Sequence, residues 1–218
     1  MKKIGLAAAL LCLLAACAGI RLERPPVLSP FGDGTQWIVW QDMEFVVTAD
    51  DKPTATITVP RGFVTDLAST PKSVWSLYPP FGKYLAASIL HDYLYWKQSC
   101  TKDEADKIFY QTMRDAGVDQ ATQSRFYLAL SSEGAQAWNH NRAEQQAGLI
   151  RVIPEEYLAA AEAGRSPRAE WKDFRAALLK NQVRERSRRS DDDIATVCTL
   201  LANEVQVKTD VGAIVFGR

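Results

Sequence analysis

The opening of the chain limits what the rest of it can build. Lys2 and Lys3 form a short positive segment, and Ile4 to Ala16 follow as thirteen residues without a charge. As a helix that run reaches about 20 Å, well short of the ~30 Å apolar core of a bilayer. The layout suits a secretion signal better than a membrane span. A short buried or membrane-surface helix is the other reading of the same residues. On the first reading, the first twenty residues stand outside the fold.

The apolar run closes in Leu14-Ala15-Ala16-Cys17. This resembles the lipobox of bacterial lipoproteins: an aliphatic residue and two small residues before the cysteine that is lipidated. The small side chains suit a narrow peptidase site, and the Cys17 thiol is the nucleophile that takes the diacylglyceryl group. The resemblance implies an acylated (palmitate-type) N-terminus at Cys17 that is the protein's membrane contact. Ala18 in place of an aspartate implies sorting to the outer membrane, facing the periplasm. An ordinary signal peptide with a chance cysteine is the alternative.

Cleavage before Cys17 removes 16 of 218 residues and leaves 202, with 24 basic and 26 acidic side chains. That near-balance argues against a nucleic-acid partner. With 47% apolar residues the chain can bury a real core, which excludes global disorder. Besides Cys17 the mature chain keeps Cys100 and Cys198, which can pair in an oxidising compartment. Such a bond would staple the tail to the central domain. Sequence alone leaves the pairing open.

Periodicity predicts an α+β fold: a small antiparallel sheet packed with a three-helix cluster, plus a mainly helical C-terminal extension over 146–218. Residues 17–35, rich in proline and glycine, read as a tether or an extended wrap. The core domain runs over 36–145. Residues 36–48 and 54–59 alternate as a hairpin, with Trp37, Val39, Phe45, Val47, Ala55, Ile57 and Val59 inward. Helices are predicted over 83–96, 101–114 and from Asp119 or Thr122 to about 138. Thr101 with Glu104 forms a capping box. A short helix over 154–163 precedes a basic helix predicted over 166–189; residues 165–189 hold nine basic and three acidic residues. The basic helix is a solvated face or meets an anionic surface. For 194–218, helix and hairpin both stay open.

Chemistry-bearing residues concentrate between 60 and 110. His91, one of two histidines, ends an apolar stretch beside Asp92, and Asp106 lies in the next helix. Asp66 and Ser69 lie in a loop able to face them. Three schemes fit. Asp66, His91, Asp92 and Asp106 can supply ligands to a divalent metal such as zinc, manganese or iron. Alternatively, a carboxylate orients His91 as general base for Ser69 or water. In the third scheme the residues form a structural network only. Neighbours on a helix point about 100° apart, so His91 and Asp92 need not share one ion. His140 could return to His91 if the helices pack antiparallel. Trp75, Tyr78, Pro79 and Pro80 could rim a groove.

Four spaced segments carry a family resemblance. They are Pro60, Gly62, Phe63, Thr65, Asp66, Ala68, Ser69 and Pro71; Pro79, Pro80 and Gly82; His91, Asp92, Leu94 and Tyr95; and Ala105, Asp106 and Phe109. Their order resembles DUF1353, a phage- and bacterium-associated family without an assigned activity. The resemblance covers about 55–138 and carries nothing onto 150–218. It implies that Asp66, His91, Asp92 and Asp106 meet in one pocket. Two functions follow as expectations: an envelope lipoprotein, prophage-like, that binds a partner protein or cell-wall polymer, or a hydrolase of a periplasmic or wall substrate centred on His91.

Overall fold

The computed structural model describes residues 19–32, 34–49, 52–67, 81–164, 170–185, 191–205 and 207. Signal, lipobox and Cys17 lie outside the described residues, as do Ser69 and the Trp75–Pro80 loop.

Alternation sets the first sheet. Strands β1 (Gly19–Leu22), β4 (Met43–Ala49) and β5 (Lys52–Val59) pair antiparallel in the order β1-β4-β5. Met43, Phe45 and Val47 alternate inward on β4, opposite Val59, Ile57 and Ala55 on β5. Ile20 sits across from Val47 and is equally buried. A second sheet joins β2 (Leu28–Pro30), β3 (Trp37–Val39) and β6 (Val64–Thr65) in the order β2-β3-β6.

One sequence expectation narrows here and another changes. Of the two readings of 17–35, the described part takes the extended wrap and not the free tether: it supplies β1 and β2. Its prolines fall at the corner between these strands and at the end of an edge strand, where a missing N–H does no harm. The single strand predicted over 36–48 is split, with β3 and β4 in different sheets.

Helix α1 (Leu85–Lys97) is central, with Ile89, Leu90, Tyr93, Leu94 and Trp96 all buried. Helix α2 (Lys102–Asp115) starts at the predicted capping box: the Thr101 hydroxyl accepts from Glu104 N and the Glu104 carboxylate from Thr101 N. Gly117, at φ +71°, lets the chain turn after α2 where side chains are disfavoured. Helix α3 (Gln120–Gln146) opens on Asp119, whose carboxylate accepts from Thr122 N at 2.9 Å. It runs eight residues past the predicted end near 138.

The C-terminal part comprises α4 (Glu155–Gly164), α5 (Trp171–Lys180) and α6 (Asp191–Glu204). The basic helix predicted over 166–189 is thus only α5 in its described part, closed by a turn with Gln182 at φ 56°. It is not merely a solvated face. Arg175 is buried and donates to Glu144 at 2.6 and 2.9 Å and to Ile150 O at 2.8 Å.

This part is no separable appendage. Val64 N donates to Arg151 O and Ile153 N to Gly62 O, so 151–153 lies along the turn into β6. Gly62 is required there: φ is +86°, and a Cβ would stand 2.4 Å from Ile153 O. Ile194, Val197, Cys198 and Leu201 of α6 share one core with Phe45, Ile57 and Ile89. Cys100 and Cys198 form a disulfide across a Cα separation of 5.8 Å, which settles the pairing left open above.

Candidate functional site

His91 points between α1 and α2, where its Nε2 lies 2.9 Å from Asp106 Oδ1. Tyr95, one turn on, donates its hydroxyl to the same oxygen at 2.7 Å. The other oxygen, Oδ2, receives Lys102 Nζ at 2.7 Å, and Lys102 also donates to Leu130 O of α3 at 2.8 Å. The His91 ring is covered by Tyr95 and Phe109, with centroids 4.1 and 4.9 Å away. His91 and Asp106 are 7% and 2% exposed. Burial disfavours the charged imidazole and lowers the His91 pKa, against the opposing pull of Asp106. Burial alone would raise Asp106, but the hydrogen bonds from His91, Lys102 and Tyr95 prevail and hold it below the usual range. Burial and the Asp106 charge push the Tyr95 hydroxyl up. The site therefore holds a carboxylate, an ammonium and two neutral donors, and it ties α1, α2 and α3 together.

Asp92 faces the other way. Its Oδ2 accepts from the Thr65 hydroxyl at 2.5 Å, and Thr65 Oγ1 in turn accepts from Leu67 N at 2.9 Å. That local bond supports Leu67 at φ 61°, a left-handed conformation that a leucine adopts only at a cost of about 1–3 kcal/mol. Burial raises the Asp92 carboxyl well above the usual range, and neighbouring Asp66 adds to the shift; Thr65 and Arg151 oppose it. Arg151 reaches toward both acidic groups of the neighbourhood without closing on either. Its guanidinium lies 3.9 Å from Asp66 Oδ1 and 3.9 Å from Glu144 Oε2, and its Nε is buried without a hydrogen bond. The Asp66 side chain is 32% exposed, so this cluster meets solvent at a carboxylate, whereas the first meets it at the Lys102 side chain, 22% exposed.

The four residues proposed as metal ligands therefore do not converge. His91 pairs with Asp106, and Asp92 lies with Asp66 on another face of α1. Among the described residues no group of three or more His, Cys, Asp or Glu side chains could hold a metal ion. The helical offset between positions 91 and 92 separates the pairs, and the Lys102 ammonium holds the carboxylate oxygen a cation would take. His140 does not return to His91. It is 67% exposed and lies 3.3 Å from Glu144 of its own helix.

Sequence reading placed Thr65 and Tyr95 in the family motif without a role, and it did not single out Lys102, Arg151 or Gly134. Lys102 stands four residues before Asp106, a helical ion-pair spacing that was legible. Arg151 and Gly134 left no such signal. Gly134 lets α3 approach so closely that a Cβ would stand 2.6 Å from Tyr95 Oη and 2.9 Å from Lys102 Cε.

At the C-terminal end of α1, a cleft of about 320 Å³ is lined by Trp96, Lys97, Gln145, Gly148, Leu149, Ile150, Arg184 and Glu185. Glu185 accepts from Trp96 Nε1 at 2.9 Å and from Arg151 N at 3.0 Å. The Arg151 and Arg175 guanidinium carbons lie 5.7 and 5.6 Å from the Trp96 ring centroid.

Most of both clusters falls in the segment from β3 to mid-α3. Residues 37–130 match the family described as a protein of unknown function, DUF1353. The matched stretch holds Thr65, Asp66, His91, Asp92, Tyr95, Lys102 and Asp106, while Gly134, Glu144 and Arg151 lie beyond it. The uncharacterized protein y4jT of Sinorhizobium fredii (strain NBRC 101917 / NGR234) is 38% identical over 78 residues, 35% of this chain and 23% of that protein. The chain thus spans less than a quarter of this relative's length. No solved structure matches. Among the described residues no helix is long and apolar enough to cross a membrane.

Proposed function

We propose that this chain is a lipid-anchored envelope protein whose DUF1353 region binds a partner protein or a cell-wall component, with the His91 cluster serving as an internal clamp. The observation that carries this reading is the internal engagement of Asp106. It accepts from His91 and Tyr95 on one oxygen and from Lys102 on the other, with Tyr95 and Phe109 packed against the imidazole, so both oxygens are already held inside the protein. The leader and Cys17 support export and anchoring. The Cys100–Cys198 disulfide supports an oxidising compartment on independent grounds. The cleft beside Trp96, with an aromatic edge, two cationic side chains and Glu185, is the place for the partner.

Two measurements test this. Elemental analysis of protein purified without chelator should find no stoichiometric zinc, manganese or iron; bound metal that disappears in His91→Ala would refute the clamp. A photo-crosslinking residue at Arg184 should yield a discrete adduct in intact cells that the same residue at exposed Leu128 does not. Equal labelling from both positions would remove the cleft from consideration.

A second reading is favoured by one observation. Asp92 retains its proton to higher pH beside Asp66 and under Arg151, and a buried carboxyl that keeps its proton suits the general acid of a hydrolysis. On this reading the hydrolase centre is Asp66–Asp92, not His91. Hydrolysis of wall fragments that is lost in both Asp66→Asn and Asp92→Asn would establish it.

A further inference from the structure

The anchor cysteine and the first strand are almost adjacent. Gly19 is already paired with Thr48 in the β1–β4 ladder, and Ile20 N donates to Asp115 Oδ2 of α2 at 2.7 Å. Only Ala18 separates Gly19 from Cys17. Two residues of fully extended chain reach about 7 Å. A lipid on Cys17 therefore holds one defined end of the domain at the headgroups.

That end can be traced. Strand β1 begins beside the β4–β5 tip, where Ala49 pairs with Lys52. Asp115 closes α2. Lys83, just before α1, donates to Gly117 O just after α2 at 3.2 Å, so the start of α1 lies at this same end. Phe81, 52% exposed, stands two residues before Lys83. The Trp96–Arg184 cleft lies at the other end of α1. From Leu85 to Trp96 the helix rises about 17 Å, at 1.5 Å per residue.

We propose that the lipid on Cys17 seats the β4–β5 tip and the α1-start/α2-end corner directly on the bilayer, with the Trp96–Arg184 cleft turned away from the membrane. This rests on the lipid-anchored reading above and adds an orientation to it. The partner surface is the phospholipid headgroup layer that holds the anchor. Charge does not drive the contact: Lys52, Lys83 and Arg114 at this end share it with Asp115 and Asp119, so neither sign dominates. Chain length alone enforces it, so the seating is insensitive to salt.

The test uses the full mature lipoprotein in vesicles of phosphatidylethanolamine and phosphatidylglycerol that carry a lipid-borne quencher. A fluorophore is placed at Lys52→Cys or at Arg184→Cys, with the native disulfide intact. The expected result is loss of most of the emission at position 52 and little at 184, unchanged between low and high salt. A twelve-residue Gly/Ser insertion between Ala18 and Gly19 should remove the difference. Equal quenching at both positions in protein whose Cys17 carries the diacylglyceryl mass would overturn the seating while leaving the anchor in place. Absence of that mass would overturn the anchored reading and the seating with it.

Discussion

On one side of α1, His91 closes a mostly buried network in which both oxygens of Asp106 are occupied. On the other, Asp92 joins a half-open cluster in which the Arg151 guanidinium stays 3.9 Å from its nearest acids. The two sides start one residue apart and diverge because of helical geometry. The more buried side gathers donors from α1 and α2 and ends on a carbonyl of α3, so it behaves as a joint between helices. The wetter side gathers a loop, a helix and the 151–153 segment, and its guanidinium meets Asp66 and Glu144 at the long end of ion-pair range. Charge held loosely next to solvent is what a functional surface offers; a buried hydrogen-bonded network offers rigidity.

The largest effect that could break this contrast is at Asp106. Asp106→Ala strands the Lys102 ammonium and two neutral donors, and should destabilise by about 3–5 kcal/mol. Chemical denaturation reads it, and a loss below 1 kcal/mol would mean the joint carries little. Next comes Gly134→Ala. Helix propensity alone favours alanine by about 1 kcal/mol, whereas the close approach to Tyr95 and Lys102 predicts a net loss of about 1–3 kcal/mol. The sign of the change in midpoint decides between local and tertiary control.

Smaller effects sharpen the comparison through pH. His91 has a lowered folded pKa, so the unfolded chain binds its proton more readily, and wild-type stability falls as pH drops below about 6.5. His91→Gln lacks that loss, so its deficit relative to wild type should narrow as the pH falls toward 5. Asp92 has a raised folded pKa, so its contribution is full at acid pH and is lost as pH rises above about 4. Asp92→Asn should therefore gain on wild type with rising pH. Parallel stability–pH curves for wild type and both variants would erase the distinction between the two sides. Least of all, His140→Ala should shift stability by no more than about 0.5 kcal/mol, since its ring is exposed.

Much of the local order was legible. The inward faces of β4 and β5, the Thr101 capping box, the three helices and the motif spanning Pro60 to Phe109 all rest on short-range patterns. The 17–35 stretch was not legible as strand, because three prolines and weak alternation mask pairing that depends on Thr48 and Asp115 far along the chain. The proposed ligand quartet failed for a related reason. Residue types and spacing placed Asp66, His91, Asp92 and Asp106 near one another, but partner choice depended on Lys102 and Arg151.

By itself, the sequence determined most element types between 36 and 138 and which polar side chains fall near the middle of the domain. Periodicity, capping and chain connectivity act over a few residues and can be read directly. Only the tertiary structure decided that His91 and Asp92 serve different clusters, that Gly62 and Gly134 are contact points, that Cys100 meets Cys198, and that Gly19 already pairs with Thr48. Those outcomes depend on which distant segments share a core, and no local pattern specifies that.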